Sequence, residues 1–266
     1  MPVQVLKAHQ VDGIRWLFRR THEEGGLLAD DPGLGKTLQV IAVIEALIHS
    51  QQVSSVLIVT PASLLTNWDA EFRRWLGGTP HRLRVTHLKK GCPNLDMSTH
   101  LKLLVQTEAP EHSIVLVSYE GLYLHGGQLY GGAGVDLLVA DEAHCLAHAG
   151  KRADAVRRTP SRARLLVTAT PLSNSLEEVY ELYDLALPGV LNTPSFFRRH
   201  FVRPIQAATA EGCGEATRAL GEAAAQALAA ISAEVGGPAR RIVGPLPSTH
   251  PTPPARCNAR PCLQRS

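Results

Sequence analysis

A glycine-rich turn near the start of the chain strongly constrains its fold. Residues 30–37 read Asp-Asp-Pro-Gly-Leu-Gly-Lys-Thr and follow a short apolar run at 27–29. A helical pattern with a broad apolar face, 38–48, comes directly after the turn. In a strand, turn and helix in this order, backbone N–H groups and the helix N-terminus can surround a polyphosphate. The turn therefore predicts a nucleotide-binding α/β domain.

Each residue type in the turn suits a different part of a nucleoside triphosphate. Glycine lets backbone N–H groups come close, Lys36 neutralises the β and γ oxygens, and Thr37 holds Mg²⁺. Asp30 stands where the strict G-x-x-x-x-G-K-[ST] pattern has its first glycine. The candidate nucleotide-binding residues of the turn are Asp31, Gly33, Leu34, Gly35, Lys36, Thr37 and Leu38.

A second motif, Asp-Glu-Ala-His at 141–144, follows the apolar run 137–140. We expect Asp141 to hold the metal ion through its water shell. Glu142 would orient or deprotonate the water that attacks the γ-phosphorus in line. Lys36, Asp141 and Glu142 are therefore candidate catalytic residues, and Thr37 and Asp141 are candidate Mg²⁺ residues. The two motifs together predict a nucleoside triphosphatase.

Apolar runs typical of buried strands alternate with helical patterns along most of the chain. This alternation predicts an α/β fold with a parallel sheet flanked by helices. The candidate site residues lie just past the carboxyl ends of the predicted strands, the edge at which open parallel sheets bind ligands. The predicted strands are 27–29, 56–60, 83–88, 114–118, 137–140 and 165–168, and the residues at this edge are Lys36, Thr60, Ser118, Asp141 and Thr168.

The composition after Pro204 differs from that of the preceding domain. Residues 207–233 are rich in alanine and predict a helix, with Leu220, Leu228 and Ile231 as its large apolar anchors. Seven prolines in residues 236–266 predict disorder. We therefore divide the chain into an ATP-binding lobe at 1–205, an Ala-rich helical segment at 206–235 and a Pro/Arg-rich tail at 236–266.

Charge and cysteine content exclude some classes of protein. The formal net charge is +3, but the tail holds five arginines and no acid, so the rest of the chain is close to neutral. A claim of nucleic-acid binding therefore cannot rest on bulk charge. Five cysteines without a C-x-x-C pair predict free thiols with no disulfide partner. With no long apolar run and no leader pattern at Met1, we expect a soluble, non-secreted protein and no membrane partner.

Several blocks of the sequence together resemble the motifs of one family. They are residues 6–16, 27–39, 59–75, 117–120 and 168–174, and similarity continues to Pro204 and Ile205. The family is that of the Swi/Snf-type (Snf-two) ATPases of chromatin remodelling and DNA repair, within helicase superfamily two. The resemblance implies the first RecA-like lobe of such an enzyme, with ATP and Mg²⁺ as ligands, double-stranded DNA as partner and a nuclear location. Nucleosomes and repair proteins are further partners that it suggests.

The resemblance also assigns roles to individual residues. Gln10 would read the adenine edge, although a lone glutamine in such a position is more often an ordinary helix-surface amide. Thr60, Ser63 and Ser118 would face the DNA backbone, or would cap the helices that follow them. His144, Thr168 and Thr170 would couple hydrolysis to lobe movement. The spacing of Trp68, Phe72 and Trp75 is typical of a packing stripe and not of a base-stacking platform.

The sequence departs from the family pattern at some positions. Pro32, Ala169 and Ser173 replace the usual methionine, glycine and glutamine, and the segment Cys145–His148 lacks the usual basic and polar residues. The family's second lobe supplies arginines to the γ-phosphoryl group, and we expect it to be absent from these residues. The chain would then be weakly active or inactive alone. Two alternatives stay open: a catalytically inactive interaction or decoy module, and an RNA helicase lobe, which the 68–75 block disfavours.

Overall fold

Six parallel strands form one sheet at the centre of the protein. The computed structural model describes residues 6–77, 84–88, 99, 101, 104, 113–130, 132, 134–147, 150–169, 175–210 and 212–236. Within them the strand order is β1-β6-β5-β2-β4-β3. The strands are β1 (Gly25–Ala29), β2 (Ser55–Thr60), β3 (Arg84–Leu88), β4 (Ser113–Ser118), β5 (Val135–Asp141) and β6 (Ser161–Thr168). The predicted α/β fold with a parallel sheet is confirmed, and each strand overlaps its predicted run.

Helices cover both faces of the sheet. They are α1 (Ala8–His22), α2 (Lys36–His49), α3 (Leu65–Leu76), α4 (Tyr119–His125), α5 (Gly150–Arg158), α6 (Leu176–Ala186), α7 (Pro194–Phe197), α8 (Arg203–Ala208) and α9 (Glu215–Val235). A π-helical turn, Arg198–Val202, joins α7 to α8. Because helices lie on both faces, the central strands are apolar at nearly every position and do not alternate.

Alternate residues of each central strand enter two separate cores, since successive side chains of a strand point to opposite faces. In β2, Val56 and Ile58 pack with α1, α2 and α3, and Leu57 and Val59 pack on the other face. The predicted apolar face of α2 lies in the first of these cores. Trp68 and Phe72 of α3 are buried there, and Trp75 packs against it, so the prediction of a packing stripe is confirmed.

Within the Ala-rich segment 206–235, the long helix α9 forms from Glu215 onward, whereas residues 206–208 belong to α8, so the predicted helix is confirmed only for its larger part. Helix α9 packs on α8 and on the π-helical turn, and Leu228 and Val235 are buried in the second core. Ile231 is partly buried against the same core, but the prediction that Leu220 anchors the helix is wrong, because its side chain is 60% exposed. Because alanine occurs on every face of this helix, the sequence does not define the limits of its buried face. At the end of α9, Gly236 bridges Leu27 of β1 in parallel fashion.

Other expectations concern the membrane, the thiols and the tail. Among the described residues, no helix has the length and apolar character needed to cross a membrane. Cys145 and Cys213 are free thiols. Residues 237–266 lie outside the described residues, and the division of the chain at 205 and 235 stays a prediction.

The burial of α9 leads to a test of whether it belongs to the domain core. Leu228→Ala should lower the free energy of unfolding by about 2–5 kcal/mol, because a fully buried side chain leaves a cavity. Leu220→Ala, on the same helix, is the matched control and should change it by less than about 0.5 kcal/mol. Urea unfolding followed by circular dichroism measures both. Equal effects of the two substitutions would contradict the observed packing of α9.

Candidate functional site

The glycine-rich turn lies between β1 and α2, and the first residues of α2 line a cavity. Gly33 and Gly35 have φ angles of 80° and 78°, in the left-handed region that side chains rarely adopt. A Cβ on Gly35 would also lie 2.5 Å from Gln10 Nε2. The backbone can therefore turn tightly here and leave the N–H groups of the first turn of α2 without helical partners, as an anion site requires.

Lys36 is the first residue of α2, and its ammonium group lies inside the turn. Its Nζ donates hydrogen bonds to the carbonyl oxygens of Asp30 and Asp31, at 2.9 Å each. Burial lowers the pKa of Lys36, and the carboxylates of Asp30, Glu142 and Asp141 act in the opposite direction. The cation is therefore held where the turn and the carboxylates of β5 face each other.

Asp141 ends β5 and is only 8% exposed. Its Oδ1 accepts a hydrogen bond of 2.9 Å from the backbone N–H of Glu142. Its Oδ2 accepts one of 2.7 Å from the indole N–H of Trp68 and a longer contact, 3.4 Å, from the Thr60 hydroxyl. Burial raises the pKa of Asp141, and the bond from Trp68 opposes that rise. The carboxylate is thus oriented by donors from three parts of the chain.

Glu142 adopts a left-handed backbone conformation, with φ of 51°. This conformation is uncommon for a residue with a side chain and is found at functional sites. Its Oε2 lies 3.3 Å from Nδ1 of His144, and the same nitrogen lies 3.1 Å from the Thr168 hydroxyl. The carboxyl ends of β5 and β6 are therefore linked through the imidazole of His144.

A cavity of about 520 Å³ gathers most of the predicted nucleotide residues. Its lining includes the N-terminal part of α2, the end of β5 and a wall from α3 formed by Asn67, Glu71, Arg74 and Trp75. The α3 wall was not predicted as part of the site. The predicted residues that the cavity brings together are Gln10, Gly33, Gly35, Lys36, Thr37, Leu38, Asp141 and Glu142.

Two glutamines hold the carbonyl group of Leu34. Gln10 Nε2 donates to that oxygen at 3.3 Å and Gln39 Nε2 at 3.4 Å. Gln39 is fully buried, and a Cβ on Gly13 of α1 would lie 1.8 Å from its Oε1. Gln39 had no predicted role, although a polar residue inside the apolar run of α2 is a signal of a buried contact. Helix α1 thus supports the glycine-rich turn in two ways: Gln10 donates to it directly, and the missing side chain of Gly13 leaves room for Gln39.

The remaining predicted residues lie at the same edge of the sheet or outside the described residues. Thr60 is fully buried beside Asp141, whereas Ser63 is exposed. Neither hydroxyl caps a helix, so that alternative is wrong. Ser118 does cap α4, because its hydroxyl accepts a hydrogen bond from the N–H of Gly121. Thr170 lies outside the described residues, and the assigned DNA and coupling roles stay predictions.

Comparison with known proteins places this site in a family context. The family model described as "SNF2-related domain" matches residues 9–233. The chain is 32% identical over 216 residues to the DNA repair and recombination protein RAD54 of Oryza sativa subsp. japonica, covering 76% of this chain and 22% of that protein. It is also 32% identical over 231 residues to the human DNA excision repair protein ERCC-6-like, covering 84% of this chain and 18% of that protein.

A solved structure with the same fold is the SWI2/SNF2 ATPase core of Sulfolobus solfataricus in complex with double-stranded DNA. The TM-score is 0.68 at 25% sequence identity, and the match covers 88% of this chain and 44% of that chain. The chain therefore spans less than half of the solved core and about a fifth of these two curated relatives.

The contact between Gly13 and Gln39 generates a double-mutant test. Alone, Gly13→Ala should lower the free energy of unfolding by roughly 1 kcal/mol, because overpacking exceeds the gain in helix propensity. In a Gln39→Ala background the same change should raise it by about 1 kcal/mol, since only the gain in helix propensity remains. Urea titration of the four chains measures the difference. The same change in the free energy of unfolding in both backgrounds would show that the contact between positions 13 and 39 does not affect stability.

Proposed function

Because the chain belongs to the SNF2-related (Swi2/Snf2) ATPase family, we propose that it forms the ATP-binding lobe of a DNA-dependent ATPase that moves along double-stranded DNA. One observation carries the proposal. The ammonium of Lys36 and the carboxylates of Asp141 and Glu142 line one cavity. Lys36 follows β1 and the two carboxylates lie at the end of β5, although these strands are not neighbours in the sheet. An arrangement of one cation, two carboxylates and an open helix N-terminus suits hydrolysis of a nucleoside triphosphate.

The residues present fit ATP and Mg²⁺ on chemical grounds. The left-handed glycines and the N-terminus of α2 form a concave anion site, and the Lys36 ammonium lies beside it. The Thr37 hydroxyl and the Asp141 carboxylate are oxygen donors of the kind that Mg²⁺ prefers. When bound, Mg²⁺ would neutralise charge on the phosphate oxygens. Gln10 would contact the adenine edge from α1.

The chain's own groups have separate tasks in the proposed reaction. Lys36 exchanges its bonds to the carbonyl groups of Asp30 and Asp31 for bonds to phosphate oxygens. Glu142 orients the attacking water and accepts its proton, and the left-handed backbone directs this side chain toward the cavity side of β5. His144 connects Glu142 with Thr168 and would transmit the state of the site to β6.

The DNA-facing part of the proposal rests on the same edge of the sheet. The turn at 60–63 begins at the last residue of β2, and Ser118 is the last residue of β4, the strand next to β2 in the sheet. We propose that this turn contacts the phosphate backbone of double-stranded DNA, with Ser63 as its exposed hydroxyl. Nucleosomes or repair proteins as partners, and a nuclear location, are proposed on the resemblance to relatives that act in DNA repair.

We propose that these 266 residues alone are an incomplete motor. In the family a second lobe provides arginines that stabilise the γ-phosphoryl charge, and such arginines contribute roughly 10³–10⁵ in rate elsewhere. The match covers 44% of the solved ATPase core, which leaves more than half of that core unmatched. The competing proposal is a non-catalytic ATP-binding interaction module. The atypical residues that follow His144, beginning with Cys145, favour this alternative.

Nucleotide binding is tested by removing the cation of the turn. Lys36→Ala should weaken binding of Mg-ATP roughly 10- to 100-fold, since a charge-assisted hydrogen bond in a buried site contributes about 1.5–3 kcal/mol. Lys151→Ala, a lysine on α5 away from the cavity, should leave the affinity unchanged. Titration with a fluorescent ATP analogue measures both variants. Equal affinities for all three chains would contradict the proposed site.

Turnover separates an incomplete motor from an interaction module. We expect the chain to hydrolyse ATP slowly and without stimulation by double-stranded DNA. A separately produced second lobe from a relative should restore DNA-stimulated hydrolysis if the chain is half of a motor. Phosphate release with and without the added lobe measures this. DNA-stimulated turnover by the chain alone, lost in Lys36→Ala, would refute the incomplete motor, and no restoration would favour the module.

A further inference from the structure

The indole N–H of Trp68 has an unexpected partner. Trp68 lies on α3 at a position that the sequence assigns to packing, and its side chain is 1% exposed. A buried indole N–H needs an acceptor. Here the acceptor is Oδ2 of Asp141, 2.7 Å away and 73 residues later in the sequence. The bond therefore joins the helix that walls the cavity to a carboxylate of the proposed hydrolysis site.

This bond is the shortest of the side-chain contacts that orient the Asp141 carboxylate. The Thr60 hydroxyl lies 3.4 Å from the same oxygen, a long distance for an O–H donor. The N–H of Glu142 fixes Oδ1 from within the same segment. The Tyr119 hydroxyl donates to the backbone carbonyl of Asp141 at 2.6 Å and so holds the chain, not the carboxylate. Rotation of the carboxylate is therefore restrained from outside the strand chiefly by Trp68.

The chemistry of an indole suits this task. A lysine or arginine donor would neutralise the carboxylate and weaken its attraction for a divalent cation. The indole N–H is uncharged and donates a single hydrogen bond, so it sets the direction of the carboxylate and leaves its charge in place. A carboxylate has about four acceptor sites, so acceptor positions remain for the water shell of a metal ion.

We propose that Trp68 is a positioning residue that holds the Asp141 carboxylate in the orientation required to bind hydrated Mg²⁺ next to the nucleotide. The inference rests on the proposed function, because it takes Asp141 as the metal-side carboxylate. It assigns to Trp68, one of the aromatic residues of α3, a role beyond packing. Partners of this kind, which orient a metal-binding group without touching the metal, typically change metal affinity 10- to 100-fold when they are removed.

The first experiment compares nucleotide affinity with and without Mg²⁺. We call the ratio of ATP-analogue affinities with and without Mg²⁺ the Mg²⁺ effect. In Trp68→Phe, which keeps a ring but lacks the N–H, this effect should fall roughly 10-fold or more. Affinity measured in EDTA should not change. Trp16→Phe removes another buried indole from the same core without affecting Asp141 and should retain the Mg²⁺ effect. Retention of the full Mg²⁺ effect in Trp68→Phe would overturn the inference.

A double-mutant cycle and a spectroscopic test complete the design. In an Asp141→Asn background, Trp68→Phe should cause no further loss of the Mg²⁺ effect. The chain has three tryptophans, and the indole N–H resonance of Trp68, assigned by its loss in Trp68→Phe, should shift in Asp141→Asn. The Trp16 resonance should not. If Trp68→Phe does not fold, the Trp68 resonance is assigned by elimination from spectra of Trp16→Phe and Trp75→Phe, and an unshifted resonance overturns the inference.

The experiments distinguish failure of this inference from failure of the proposed function. A chain that does not bind ATP in any condition refutes the proposed function. The resonance test still decides whether Trp68 and Asp141 are bonded, because it needs no nucleotide. A chain that binds ATP with a Mg²⁺ effect that Trp68→Phe leaves intact refutes only the positioning role.

Discussion

The parallel backbone ladder between β1, β6 and β5 is the constraint on which the site depends. Its register pairs Ala29 with Thr168 and Val167 with Asp141, so the three strands end at the same level. Adjacent strands lie about 4.8 Å apart. Because β6 lies between β1 and β5, the glycine-rich turn and the carboxylates of Asp141 and Glu142 are roughly 10 Å apart. That span suits a triphosphate with its metal ion. Side chains from distant parts of the sequence meet there because the ladder aligns the strand ends.

Electrostatics within the cavity would favour a divalent cation beside a bound polyphosphate. Asp30, Asp141 and Glu142 surround the ammonium of Lys36 with negative charge. Burial disfavours the charged forms of three of these groups, so it raises the pKa of Asp30 and Asp141 and lowers that of Lys36. A polyphosphate would add further negative charge to a group of carboxylates. A metal ion held by Asp141 would reduce that repulsion, and a neutral donor such as Trp68 leaves the carboxylate charged to hold it.

Local patterns in the sequence predicted the fold and the candidate nucleotide residues, because both depend on neighbours in the chain. The apolar runs identified all six strands, and the turn with the Asp-Glu pair identified the part of the cavity that is formed by the start of α2 and the end of β5. Contacts between distant residues were not accessible in this way. The bond from Trp68 to Asp141 depends on how α3 packs across the end of β5, and the space at Gly13 depends on the direction of one side chain in α2. The exposure of Leu220 could not be predicted, because alanine on all faces of α9 leaves the limits of its buried face undefined in the sequence.

The bridge between Gly236 and Leu27 has a consequence for solubility. β1 is an edge strand, and edge strands offer unpaired backbone groups to strands of other molecules. By returning to this edge, the end of α9 occupies the middle of β1 and hinders addition of a foreign strand. An alanine-rich helix with few large side chains thus protects the β1 edge of the sheet, from which the glycine-rich turn continues. Loss of that helix would expose the edge to self-association as well as weaken the core.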